Sequence, residues 1–142
     1  MSGRIFPTPQ DAENAFYEAL AHADLEGMMA VWAEDEEIVC IHPAGTRQAG
    51  HDQVRSGWAR LFQGAPVLSV QVSQQVAVDG PMYAVHCVQE NIAEAGDNRP
   101  RHPMHATNVY LRTAAGWRMI VHHASPAPAP PEKPQDGPKT LH

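Results

Sequence analysis

Six polar side chains fall where strand-like alternation carries them toward the interior: His42, His86, Glu90, Asn108, Tyr110 and His122. His42 closes the short apolar run Ile38–His42, and Pro43 behind it stops a strand. Imidazole titrates near neutrality, so a partly buried His42 facing a cavity is suited to act as general acid or base. A strand-end histidine bonded to a backbone carbonyl is the competing reading. His86 and Glu90 share one strand face four residues apart, roughly 13 Å at the usual rise, and do not touch each other. Each is free to pair with Asn108, Tyr110 or His122 from neighbouring strands. Together these groups form a patch of donors and acceptors under Phe16, Trp32 and Trp58. An apolar cavity with a few convergent polar groups is the usual small-molecule site. Against this stands the reading that the aromatic residues are simply core and the polar ones structural pairs.

The elements that must hold these residues follow from periodicity. The stretch His105–Ser125 organises the chain: two strand-like runs flank a turn at Ala114-Ala115-Gly116, a hairpin signature. Thr107, Val109 and Leu111 share one face of the first run, and Ala106, Asn108 and Tyr110 the other. In the second run Trp117, Met119 and Val121 alternate with Arg118, Ile120 and His122. Both faces carry apolar bulk, so both must be covered, by helices on one side and by a second subunit on the other. Ahead of the hairpin, Thr8-Pro9-Gln10-Asp11 reads as a helix start, with a Thr cap, Pro at the first position and an early acid. Ala12, Phe16, Ala19, Leu20 and Ala23 form its apolar stripe. Asp24 caps a short second helix with Leu25, Met28, Met29 and Trp32 on one face. Residues 44–50 read as a loop. A third helix follows, with Val54, Trp58, Leu61 and Phe62 as its buried stripe. Leu68, Val70, Val72, Val76 and Val78 share one face of a half-exposed strand. Asp79-Gly80 makes a two-residue turn, and the next strand runs to about Ala93 with Met82, Ala84, His86, Val88, Glu90 and Ile92 on one side.

The totals narrow the function classes. A chain of 142 residues with 43% apolar composition makes one domain with a real core. The domain is expected over residues 1–125, followed by a proline-rich, polyproline-like tail over 126–142 that lies across the partner subunit or a neighbouring surface. Formal charge is −6 and the basic residues are scattered, which argues against a nucleic-acid partner. No run approaches the roughly 18 apolar residues of a membrane span, and the N-terminus does not read as a secretory signal. Cys40 and Cys87 both fall in strands and read as buried free thiols, in keeping with a cytoplasmic setting. His102-x-x-His105 and the His122-His123 pair lack the spacing of a metal site, so no metal is expected. There is no Gly-rich phosphate loop and no activated nucleophile, and no cofactor is expected.

Three segments carry a resemblance: FYEALAHADLEGMMAVWAEDEEIVCIHPAG, then GHDQVRSGWARLF over residues 50–62, then the hairpin ending GWRMIVHHAS. In this order they resemble the NTF2-like superfamily, and more closely its SnoaL-like and ketosteroid-isomerase-like branch. The last segment is also similar to the final strands of the association domain of calmodulin-dependent kinase. The resemblance implies an α+β, cystatin-like cone: three N-terminal helices packed on a strongly bent, mainly antiparallel sheet. It also implies a homodimer through the sheet face. Where ketosteroid isomerases carry an Asp-Pro base, this chain has His42-Pro43. Their oxyanion-binding Tyr falls near Phe16, with Tyr17 expected to turn outward, and their second, protonated Asp has no counterpart here. The isomerase set is thus not preserved, and no acidic residue of a SnoaL-type cyclase is identified. The expectation is a small-organic-molecule pocket, with His42 as acid/base for isomerase, cyclase or dehydratase chemistry. Phe16, Trp32, Trp58, His86, Glu90, Asn108, Tyr110 and His122 are its expected binding residues. The rival expectation is a non-catalytic association module with a vestigial or regulatory pocket.

Overall fold

A computed structural model describes residues 4–34, 36–43, 45–97, 99 and 102–128. Most of the expected tail, including residues 129–142, lies outside the described residues. Helix α1 spans Pro9–His22, with Thr8 as its cap accepting from the Asp11 amide, as the Thr-Pro start requires. It ends at Ala23, whose φ of 51° takes the left-handed conformation of a helix terminus. Helix α2, Leu25–Val31, is capped by the Asp24 side chain on the Gly27 amide. Strand β1 covers Val39–Ile41. The segment expected as a loop contains a second short strand, β2, at Arg47–Ala49, paired antiparallel to β1. Three residues with no apolar alternation carry too little signal to be read as a strand. Helix α3 then runs over His51–Phe62, and its stripe is narrower than expected, since Leu61 is 51% exposed.

Four long strands complete the domain: β3 Leu68–Asp79, β4 Tyr83–Glu94, β5 Met104–Thr113 and β6 Gly116–Pro126. Strand order is β2-β1-β6-β5-β4-β3, antiparallel except for the parallel β1–β6 pair. This mixed sheet with three helices is the expected α+β fold. The β3–β4 connection is longer than a two-residue turn: Asp79 pairs with Ala84, and the Gly80 amide donates to the Tyr83 carbonyl. Strand β6 runs one residue past the expected domain end at Ser125.

Two β-bulges decide which side chains face inward. In β3 the register shifts between Ser73 and Val76, with Gln74 at a φ of 52°. An extra residue reverses the alternation beyond it. Val76 and Val78 therefore leave the face of Leu68 and Val70 and stand 64% and 68% exposed on the outer side, while Gln75 turns inward. In β6 a second shift sets Tyr110 against Met119 but Val109 against Val121, leaving Ile120 as the extra residue. Met119 and His122, three apart and expected on opposite faces, are consequently both buried. The inner face thus carries Ala84, His86, Val88, Glu90, Ala106, Asn108, Tyr110, Met119, His122 and Ala124, all buried. Helix α1 packs against α2, β3 and β6 and brings its own polar edge onto this face.

Candidate functional site

The inner face holds a buried polar cluster built from α1, β4, β5 and β6. Glu13 and Tyr17 stand one helical repeat apart on α1, both buried. The Tyr17 hydroxyl donates to Glu90 Oε2 at 2.6 Å. Asn108 Nδ2 donates to Glu13 Oε1 and to the Tyr17 oxygen, both at 3.1 Å. Tyr110 donates to Glu13 Oε1 at 2.9 Å. Because a carboxylate only accepts, the Asn108 amide nitrogen must face Glu13, and its oxygen then faces His122. His122 Nδ1 lies 2.6 Å from that oxygen and donates to it. The ring's other nitrogen, Nε2, is left with its lone pair, 4.0 Å from Glu90 Oε2.

His86 closes the far end of the cluster. Its Nδ1 is 3.2 Å from Glu13 Oε1 and its Nε2 is 2.8 Å from Asp79 Oδ1, so an oxygen holds the ring on each side. Gln75, turned inward by the β3 bulge, donates to Glu13 Oε2. His86 and Glu90, too far apart along β4 to meet, are thereby joined through Glu13, Asn108 and Tyr17.

Glu90 and His122 also form the polar floor of an open cavity of about 490 Å³. Its walls are mostly apolar and include Leu20, Trp58, Leu61, Phe62, Leu68, Ile92, Met104 and Ala124. His42 and His102 stand among its lining residues. The His42 ring meets Trp58 edge-on at 4.6 Å, and its Nε2 is 3.8 Å from Cys40 Sγ.

Burial sets the ionisation of these groups. Loss of water raises the Glu90 carboxyl to about 6; the Tyr17 hydrogen bond opposes the rise and the Glu13 charge adds to it. Burial, reinforced by His42 and His123, pushes His122 down to about 3, so it is neutral. His42 is lowered by burial and by the Arg60 charge. Tyr17 and Tyr110 are driven well above the ordinary phenol range, chiefly by burial and then by nearby carboxylate charge, and stay protonated donors. Cys40 is raised to about 12 by burial and the Glu90 charge, which makes it inert.

Of the nine residues singled out in the sequence, His42, Trp58, Glu90 and His122 line the cavity. Asn108, Tyr110 and His86 belong to the cluster behind its floor. Phe16 is fully buried and packs between Trp58, Tyr17 and His122. Trp32 lies under the hairpin, bridged to Met119, in the core rather than at the cavity. Tyr17, expected to turn outward, is turned inward and bonded to Glu90. Glu13 was not anticipated. The available signal was its position one residue beyond Ala12 of the apolar stripe and four before Tyr17, which places both polar groups on the stripe's border. Cys87, expected to be buried, is exposed on the outer sheet face.

The model of the SnoaL-like domain matches residues 10–130. The chain belongs to the SnoaL-like family, within the NTF2-like superfamily. This SnoaL-like domain is similar, at 41% identity and a TM-score of 0.81, to a Thiobacillus denitrificans structure. That protein is provisionally named a calcium/calmodulin-dependent protein kinase type II association domain, and the match covers 87% of this chain and 98% of that one. A Streptomyces avermitilis protein, provisionally a dehydratase of the NTF2-like family, is 27% identical with a TM-score of 0.74 over 83% of this chain and 92% of its own. A cystatin-like protein of Nostoc punctiforme shares the fold at 14% identity and a TM-score of 0.71, over 86% of this chain and 90% of its own. A search of curated proteins found no match. Among the described residues no helix is long and apolar enough to cross a membrane.

Proposed function

We propose that this SnoaL-like domain binds a small organic molecule in the 490 Å³ cavity and transfers a proton on it without a cofactor. The observation that carries the reading is Glu90. It is a 2%-exposed carboxyl on an apolar cavity's floor, ionising near neutrality and aimed by Tyr17. A carboxyl poised near pH 6 both gives and takes a proton at neutral pH, which is what general acid–base chemistry needs. His122, neutral and oriented by Asn108, presents an acceptor beside it, and His42 offers a second acid/base group among the lining residues. Dehydration fits this set. Protonated Glu90 gives its proton to a leaving hydroxyl, which departs as water, while a neutral imidazole takes the proton from the adjacent carbon. The likeness to the Streptomyces avermitilis protein supports that class. Isomerisation or cyclisation uses the same proton carrier.

A second reading has its own support. The Thiobacillus denitrificans protein is named an association domain, and Val76, Val78 and Tyr83 stand exposed on the outer sheet side, where a second copy would cover them. Association through that face leaves the cavity open, so a homodimer and a working pocket are compatible.

The test is a thermal-shift screen of wild type and His42→Ala against small aromatic, steroid-like and polyketide-like compounds. Stabilisation of wild type that His42→Ala weakens is the expected result. If no compound stabilises the protein and the melting temperature rises with protein concentration, the association reading replaces this one.

A further inference from the structure

The polarity of the cavity floor restricts what can occupy it. Glu90 Oε2 already accepts from Tyr17, and with the carboxyl ionised every remaining lone pair on it is an acceptor. His122 Nε2 is also an acceptor, because the ring's one proton is committed to Asn108. The floor therefore offers two acceptors 4.0 Å apart. Among the described lining residues there is no Lys or Arg; the other polar side chains there are the imidazoles of His42 and His102 and the indole N–H of Trp58, which has no partner, and none is a permanent cation to offset the Glu90 carboxylate. Arg60, whose charge acts on His42, is not among the lining residues.

We propose that the ligand is a primary amine on an aromatic or branched apolar body, its ammonium donating to both Glu90 and His122. This rests on the reading of the cavity as a small-molecule site and names the ligand's class for the complex in which Glu90 is ionised; while the ammonium holds Glu90 and His122, His42 is the lining acid/base group left to act on the rest of the ligand. A nitrogen about 2.8 Å from each of two acceptors that lie 4.0 Å apart subtends roughly a right angle, which the tetrahedral N–H bonds of an ammonium approach. A hydroxyl has one donor and satisfies only one of the two. The ammonium is a third component of the cluster, matching a carboxylate that no Lys or Arg among the described residues pairs with. Trp58 and Phe62 supply aromatic walls, against which a desolvated cation gains further attraction. The cavity's volume is within the range that encloses a ligand of drug-like size.

Isothermal titration of the full chain at neutral pH with 2-phenylethylamine, 2-phenylethanol and 3-phenylpropionate tests this, with Glu90→Gln alongside wild type. Wild type is expected to bind the amine at least about tenfold more tightly than the alcohol, and the carboxylate not measurably. In Glu90→Gln the amide gains a donor, and the amine is expected to lose its advantage over the alcohol. If the alcohol or the carboxylate binds wild type as well as the amine does, the amine assignment is overturned while the pocket reading stands. If none of the three binds, and the thermal-shift screen finds no other ligand, both fall.

Discussion

Replacing Glu90 by Gln should make the protein more stable, and only above a definite pH. Burial raises the Glu90 carboxyl from 4.5 to about 6, so between those values the folded protein holds a proton that the unfolded chain releases. Stability linked to Glu90 is then fully present below about pH 4.5 and is lost as pH rises through about 6. At about 1.4 kcal/mol for each pH unit, the ionised side chain costs the folded state about 2 kcal/mol at neutral pH. At 2% exposure, solvent relieves little of that. Gln preserves the shape, and its carbonyl still accepts from Tyr17. We expect Glu90→Gln to be about 1–2 kcal/mol more stable than wild type near pH 8, with the two converging near pH 4.5. Urea unfolding followed by the fluorescence of the three tryptophans, at a series of pH values, reads this directly. A variant that is less stable near pH 8, or a difference that does not change with pH, refutes the assignment. A residue whose removal strengthens the fold is one that packing alone does not account for.

Two further expectations concern the frame around the site. Phe6 bridges to Gly116, and its carbonyl accepts from the Trp117 amide. Gly116 holds a φ of 95°, and a Cβ there would lie 2.8 Å from the Phe6 carbonyl oxygen, so Gly116→Ala should cost about 2 kcal/mol or more; thermal unfolding checks it, and an unchanged melting temperature would contradict this close approach. On the outer face, Val76→Asp with Val78→Asp should convert a dimer to monomer in sedimentation velocity while leaving the fold intact by circular dichroism; a wild type already monomeric at micromolar concentration would rule out the sheet-face pair.

The parts of this structure that were legible in the sequence are those governed by an unbroken period. The Thr8-Pro9 cap, the stripe from Ala12 to Leu20 and the inward set Ala84, His86, Val88 and Glu90 all follow from spacing alone. Legibility ended at the bulges. Nothing in VSQQVAV marks an extra residue before Val76, yet that residue exposes two valines and turns Gln75 toward Glu13. The extra residue at Ile120 likewise brings Met119 and His122 to one face. The inward turn of Tyr17 has a different cause. The residue borders the apolar stripe without belonging to it, and a tyrosine there turns inward only if a buried acceptor awaits its hydroxyl. That acceptor, Glu90, comes from a strand 73 residues away, and single-segment periodicity carries no information about it. His42, Trp58, Glu90 and His122 were singled out by type and spacing, but their arrangement around one cavity is a product of the sheet register.

Whether Glu90 exchanges protons near neutrality inside a ligand-binding cavity is tested most directly by a pH titration of its side-chain carboxyl, followed by carbon-13 NMR. It would be run on the free protein and on the protein saturated with the most stabilising compound from the thermal-shift screen. The expected midpoint lies near 6 and moves when the cavity is filled. A midpoint near the ordinary value of 4.5, unmoved by the compound, would contradict it.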